Sequence, residues 1–206
     1  MTTTKTKQTK TKTSEAKTTT PRVEKPIQEL PANPFVFEVL ELLSKQRTNA
    51  KKVEVLKKYE HDSLKAIFIW NFDESVLSAL PPGDVPYAST DKQNSFSGTL
   101  SDKIDDAVLK MGELSSHSLG TASEVGQQRT ALRKEYAKLY NFVKGGNDGL
   151  SSLRRETMFI NLLEGLHPLE AEILILVKDK QLQTKYKITK DIVSQAYPDI
   201  VWGNRA

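Results

Sequence analysis

A chain of 206 residues with 30 Lys and Arg against 26 Asp and Glu has room for one ordinary folded unit and a tail. The absence of cysteine excludes disulfide staples, thiolate nucleophiles and cysteine-ligated zinc, so an apolar core must supply the stability. No run of 18 apolar residues exists and the start lacks the apolar stretch of a secretory signal, which predicts a soluble, intracellular protein without a membrane span.

The formal net charge of +4 is unevenly placed. Between Met1 and Leu30 the cations are Lys5, Lys7, Lys10, Lys12, Lys17, Arg22 and Lys25, against Glu15, Glu24 and Glu29. That excess accounts for the whole net charge, so the rest of the chain is neutral. Residues 1 to about 20 are nearly all Thr and Lys and hold no aromatic or large aliphatic residue after Met1. Such a segment cannot bury enough apolar surface to offset ordering entropy, and we expect it to be disordered. The next stretch, PRVEKPIQELPANP, places Pro21, Pro26, Pro31 and Pro34 in fourteen residues and reads as an extended linker. Residues 1–32 are therefore expected to be a basic tail and linker, and 33–206 a helical domain with a possible subdivision near 81–100.

In NPFVFEVLELLSKQ, Asn33 stands where a cap is expected and Pro34 at the first helical position, followed by a stripe of Phe35, Val36, Val39, Leu40 and Leu43. A second helix is predicted from Thr48 or Asn49 through Val53, Leu56 and Tyr59. A third is capped by Asp62 and carries Leu64, Ile67 and Phe68. LPPGDVPY, with Pro81, Pro82, Gly83 and Pro86, cannot continue a helix. Residues 88–101 are polar and irregular, and a weakly amphipathic stretch with Ile104, Val108, Met111 and Leu114 follows, interrupted by Gly112, Gly120 and Gly126.

QQRTALRKEYAKLYNFVKGG spaces Leu132, Tyr136, Leu139 and Val143 by 4, 3 and 4 and predicts a helix ending near Gly145. Two more helices are predicted on either side of a break at Gly165, His167 and Pro168. Leu153, Ile160 and Leu163 line the first; Ala171, Ile173, Leu174, Leu176 and Val177 make the second nearly apolar all round and hence central. A short helix capped by Thr189 carries Ile192, Val193 and Ala196, and Tyr197, Pro198, Ile200 and Trp202 close the chain. The fold class expected is all-α: one helical bundle behind a disordered Thr/Lys-rich tail.

Chemistry is thin in this sequence. His61, His117 and His167 lie on different elements, and no pair has the spacing of a helical metal site. His61 reads as a helix-entry residue and His167 as part of the break before Pro168. Neither a phosphate-cradling loop nor a nucleophile elbow is present, and VKGGNDG reads as a turn between helices. Asp105 and Asp106 are adjacent and so point to different faces, while Glu170 and Glu172 suit the positive end of a helix dipole. No catalytic residue, cofactor or metal is expected. Among the cations Lys51, Lys52, Lys57, Lys58 and Lys65, the first four fall broadly along one side of a helix, and because Glu54 and Glu60 interrupt them they read as a solvated face before a phosphate-binding stripe. The C-terminal helices superficially suggest a helix-turn-helix whose reader would present Thr189, Lys190, Ser194 and Gln195, although Pro198 truncates it and the Lys-rich KDKQLQTKYK would be a loop.

LKAIFIWNFDESVLSALPPGDVPY, RRETMFINLLEGLHPLEAEILILVKDKQL and ITKDIVSQAYPDI together resemble a family of small proteins encoded by T-even-like tailed bacteriophages, including cyanophages. The resemblance runs from about Pro34 to Ile200, leaves the Thr/Lys tail outside it, and is to a domain of unknown function with no catalytic residues to carry over. It implies a phage product acting in the cytoplasm of an infected bacterium, with virion association possible. The functional expectation is a non-enzymatic protein that associates with DNA or RNA through the basic tail, aided by the lysines of the second helix. The alternative is an interaction module for a phage or host protein, with the tail as a tether.

Overall fold

The computed structural model describes residues 29–83 and 130–203, together with the backbone of 86–88 and 97–99. The expectations for the tail, and for the amphipathic stretch between Ile104 and Leu114, fall outside these residues.

The architecture is all-α. Helices α1 (Val36–Lys45), α2 (Asn49–Lys58) and α3 (Asp62–Phe72) follow one another through short turns. A short antiparallel pair, β1 (Pro86–Ala88) and β2 (Ser97–Thr99), sets Tyr87 opposite Gly98. The C-terminal half contains α4 (Leu132–Glu135), a 3-10 helix (Tyr136–Phe142), α5 (Ser152–Gly165), α6 (Pro168–Lys178), α7 (Leu182–Tyr186) and α8 (Lys190–Ala196). One apolar cluster takes residues from both sides of the 84–129 excursion, among them Leu40, Leu43, Leu56, Ile67, Phe68, Phe142, Phe159, Leu174 and Val193. Helix α6 touches α1, α3, α5 and α7, and Ala171, Ile173, Leu174 and Val177 on it are buried. Its apolar composition does predict its central place.

Several boundaries differ from the sequence reading. Helix α1 starts at Val36, two residues after the expected Pro34, with Phe35 as the capping position. Its first N–H groups are served by carboxylates instead of Asn33: Glu38 accepts from Phe35 N–H at 2.8 Å, and Glu170 accepts from Val36 N–H at 3.2 Å. Thr48 caps α2, its hydroxyl accepting from Lys51 N–H. At α3 the cap is His61, and Asp62 is the first helical residue.

The helix expected over residues 131–143 is only four residues of α-helix and then seven of 3-10 helix. The chain tightens there because it must leave the helix at Val143. At that point it pairs with Ser78, while Ala79 N–H and Lys144 N–H bond to the carbonyls of Phe142 and Leu77. The turn that follows uses Gly145 at φ +77°, a left-handed conformation that suits glycine. At Gly146 a β-carbon would sit 1.9 Å from the carbonyl oxygen of Tyr140, so the backbones meet where only hydrogen fits.

Leu153 is another correction: it is 76% exposed, because α5 turns Arg155, Phe159 and Leu163 inward instead. The Lys-rich segment between α6 and α8 contains α7 where a loop was expected. Its first turn is capped from a distance by buried Asn71, whose amide oxygen accepts from Leu182 N–H at 3.1 Å and whose nitrogen donates to Gln183 at 3.1 Å. A cap supplied from 111 residues away leaves no local pattern to read.

Candidate functional site

The tail joins the body beside the end of α2. Tyr59 Oη accepts from Leu30 N–H at 2.9 Å, and Lys58 Nζ lies 3.0 Å from Glu29. Lys5, Lys7, Lys10, Lys12, Lys17, Arg22 and Lys25 lie before this root and outside the described residues. The four lysines of α2 do not share one solvent face. Lys57 is exposed, Lys58 is engaged by Glu29, and Lys51 is half-buried. Lys52 is buried, its ammonium donating to the Lys187 carbonyl at 2.6 Å. Lys65 is held between Glu60 at 2.5 Å and Asp199 at 2.8 Å, 5.2 Å above the Tyr197 ring. Those acids, Asp199 first, hold its ammonium above the ordinary lysine range.

Buried charges elsewhere fix the backbone. Glu170, fully buried on α6, accepts from Val36 N–H at 3.2 Å and Leu132 N–H at 2.9 Å, serving the first residues of α1 and α4 together. Burial pushes its carboxyl up, against the pull of those two donors. Eight residues on, at the other end of α6, Lys178 donates to the carbonyls of Pro81 at 2.9 Å and Gly83 at 2.8 Å and to Asp179 at 2.7 Å. Helix α6 thus clamps both edges of the 84–129 excursion, with its acid at its N-terminal end and its cation at its C-terminal end. Arg155 donates to the carbonyls of Asn141 and Asn147, both at 2.8 Å, and so fixes the VKGGNDG turn. Asp73 accepts from Ser75 N–H at 3.0 Å and from Gly203 N–H at 3.1 and 3.0 Å, holding the end of the described chain.

His61 and His167 have the same job. Each accepts at Nδ1 from the N–H two residues on, Ser63 at 3.0 Å and Leu169 at 3.2 Å. Both rings are held below the usual histidine range. Burial is the cause at His167; at His61 burial is joined by Arg133 and opposed by Asp62. Phe35 and Phe37 stack on His167, with ring centroids 5.8 and 4.7 Å away. Among the described residues no three His, Asp or Glu side chains gather to hold a metal ion.

The helix-turn-helix candidates Thr189, Lys190 and Gln195 are exposed on α8, and Ser194 bonds back to the Lys190 carbonyl at 2.9 Å. Helix α8 packs mainly along α2, and Lys190 lies 5.1 Å over the Trp202 ring. Tyr197 is buried with its hydroxyl donating to the Leu56 carbonyl at 2.9 Å, so it closes the core. The sequence alone points to Lys52 as a surface cation and to Glu170 as a helix-dipole residue, and does not single out Lys178. The hint was present for α6: residues 170, 174 and 178 fall on one face of a helix whose neighbours are apolar.

Among the described residues no helix is long and apolar enough to cross a membrane. Residues 39–107 and 120–184 match the model of a family of unknown function, DUF6433. The two segments cover more than half of the chain, which therefore belongs to that family. The gap between them falls inside the excursion that α6 clamps. No curated protein and no solved structure is significantly similar to the chain.

Proposed function

We propose that the protein is a non-enzymatic phage accessory factor that associates with nucleic acid through its basic N-terminal arm. The resemblance to proteins of T-even-like phages supports an action in the cytoplasm of an infected bacterium. The observation that carries the reading is the placement of charge: the entire positive excess lies in residues 1–30, whose first twenty are nearly all Thr and Lys and hold no aromatic or large aliphatic residue after Met1. Lysines on such a segment neutralise phosphates and release counterions without reading sequence. The root of the arm is tied to the end of α2 through Tyr59 and Lys58. The buried charges of the body bind backbone groups, which is the work of a scaffold.

The test is a salt series of duplex DNA binding with the full chain. If all seven arm cations engage phosphates, log K falls with log salt at a slope of up to about −6. Replacing Lys5, Lys7, Lys10, Lys12 and Lys17 by Gln should reduce that slope by about 4. Equal binding by the two proteins would refute the arm's role. A second reading, a protein-interaction module with the arm as tether, is favoured by Leu77 and Tyr140. These large apolar side chains are 49% and 53% exposed on adjoining segments. Under that reading neither protein binds DNA and Leu77→Ser with Tyr140→Ser abolishes partner capture.

A further inference from the structure

Two stretches of the body contain no acid. Residues 42–53 carry Lys45, Arg47, Lys51 and Lys52, and residues 180–190 carry Lys180, Lys185, Lys187 and Lys190. The neutral total of the body conceals them. Folding brings them together: α1 touches α7, α2 lies along α8, and Lys52 reaches the carbonyl of Lys187 across 135 residues of sequence.

At this corner the acids are outnumbered. Lys45 is 3.9 Å from Glu41, Lys185 is paired with Glu172, and Lys180 is turned away to the Asp73 carbonyl. Arg47 and Lys187 are exposed and meet no acid among the described residues. Lys52, a buried residue of α2, gives its ammonium to the Lys187 carbonyl and pairs with no carboxylate among the described residues. The two segments therefore meet with more cations than acids, and a bound anion would supply the opposite charge.

We infer that the corner formed by the α1–α2 and α7–α8 turns is a phosphate-binding surface for a nucleic-acid backbone, centred on Arg47 and Lys187. The inference rests on the reading of the protein as a nucleic-acid binder and adds a site on the folded body to the arm. Arg47 brings a planar fork that matches two phosphate oxygens, and Lys187 a point charge. Phosphate contacts carry no direct sequence information, so the corner adds affinity and leaves sequence preference unchanged.

The experiment uses the full chain with a fluorescent 20-base-pair duplex and, in parallel, a single-stranded RNA of equal length. Arg47→Glu with Lys187→Glu should lower duplex affinity at least tenfold at low salt and reduce the salt slope by about 2, since each lost phosphate contact removes about 0.9. The matched control is Lys134→Glu with Lys144→Glu, which makes the same charge change at exposed residues on other elements. It should alter the slope far less. Arg47→Gln and Lys187→Gln singly, each removing about 1 from the slope, give the same reading should the double reversal perturb folding. The RNA arm shows which backbone is preferred. Unchanged affinity and slope in the corner variants, with a loss on arm neutralisation, overturns the corner and leaves the arm standing. Equal losses in corner variant and matched control reduce the effect to net charge and also overturn the corner. No binding by the wild-type chain overturns both.

Discussion

Glu170 serves the starts of two helices at once, and its replacement is correspondingly informative. Both carboxylate oxygens accept backbone N–H groups. In Glu170→Gln an amide NH2 must face one of those donors, leaving a buried group unsatisfied at a cost of about 1–3 kcal/mol. Glu170→Ala abandons both donors and should cost more; urea unfolding of the three proteins checks the order. The histidine caps give a pH dependence. Because His61 and His167 are both held below the usual range, the unfolded chain binds more protons than the folded one as pH falls through about 6.5. Their contribution is complete above that pH and is lost below it, as protonation removes the Nδ1 acceptor and sets a positive charge at a helix N-terminus. Each lost cap is worth about 1 kcal/mol. Glu170, with its carboxyl pushed up, acts in the opposite sense at the lower end of the range. Thermal unfolding at pH 7.5 and 5.5 should therefore show a destabilisation that shrinks in His61→Asn and His167→Asn, because Asn caps without titrating.

At the scale of elements, the apolar stripes of α1, α3, α6 and α8 were legible because periodicity directly reports the face a helix buries. What stayed hidden was made by partners distant in sequence. The true start of α1 depends on Glu170, the existence of α7 on Asn71, and the tightening of the 131–143 segment on its pairing with Ser78. The clamp on the excursion is likewise invisible locally, since Lys178 looks like an ordinary last-turn cation until the Pro81 and Gly83 carbonyls close on it. Lys178→Met keeps the stem and removes the donors, leaving two carbonyls and Asp179 without it. We expect a loss of about 2–3 kcal/mol and faster proteolysis around 81–83 than in the wild-type chain, read by limited digestion. Gly146→Ala should be more damaging than Gly145→Asn. The first drives a β-carbon into the Tyr140 carbonyl, whereas Asn tolerates the left-handed backbone of Gly145.

For the molecule as a whole, composition reports a neutral body and a basic arm, and the fold refines this by gathering two acid-free segments at one corner. Of the candidate lysines on α2, Lys57 keeps an open head, Lys58 is spent on the arm's root, and Lys52 lies under the corner as part of its foundation. A linear charge count could not find Arg47 and Lys187, because 140 positions separate them in the chain. On the proposed reading, arm and corner grip one polyanion. The most direct measurement is the salt slope of duplex binding for four full-length proteins: wild type, arm-neutralised, corner-reversed and the combination. The account predicts a steep wild-type slope, reductions of about 4 and 2 in the single sets, and their near-sum in the combination. A wild-type chain that shows no salt-dependent binding, or a combination no shallower than the arm-neutralised protein, would contradict it.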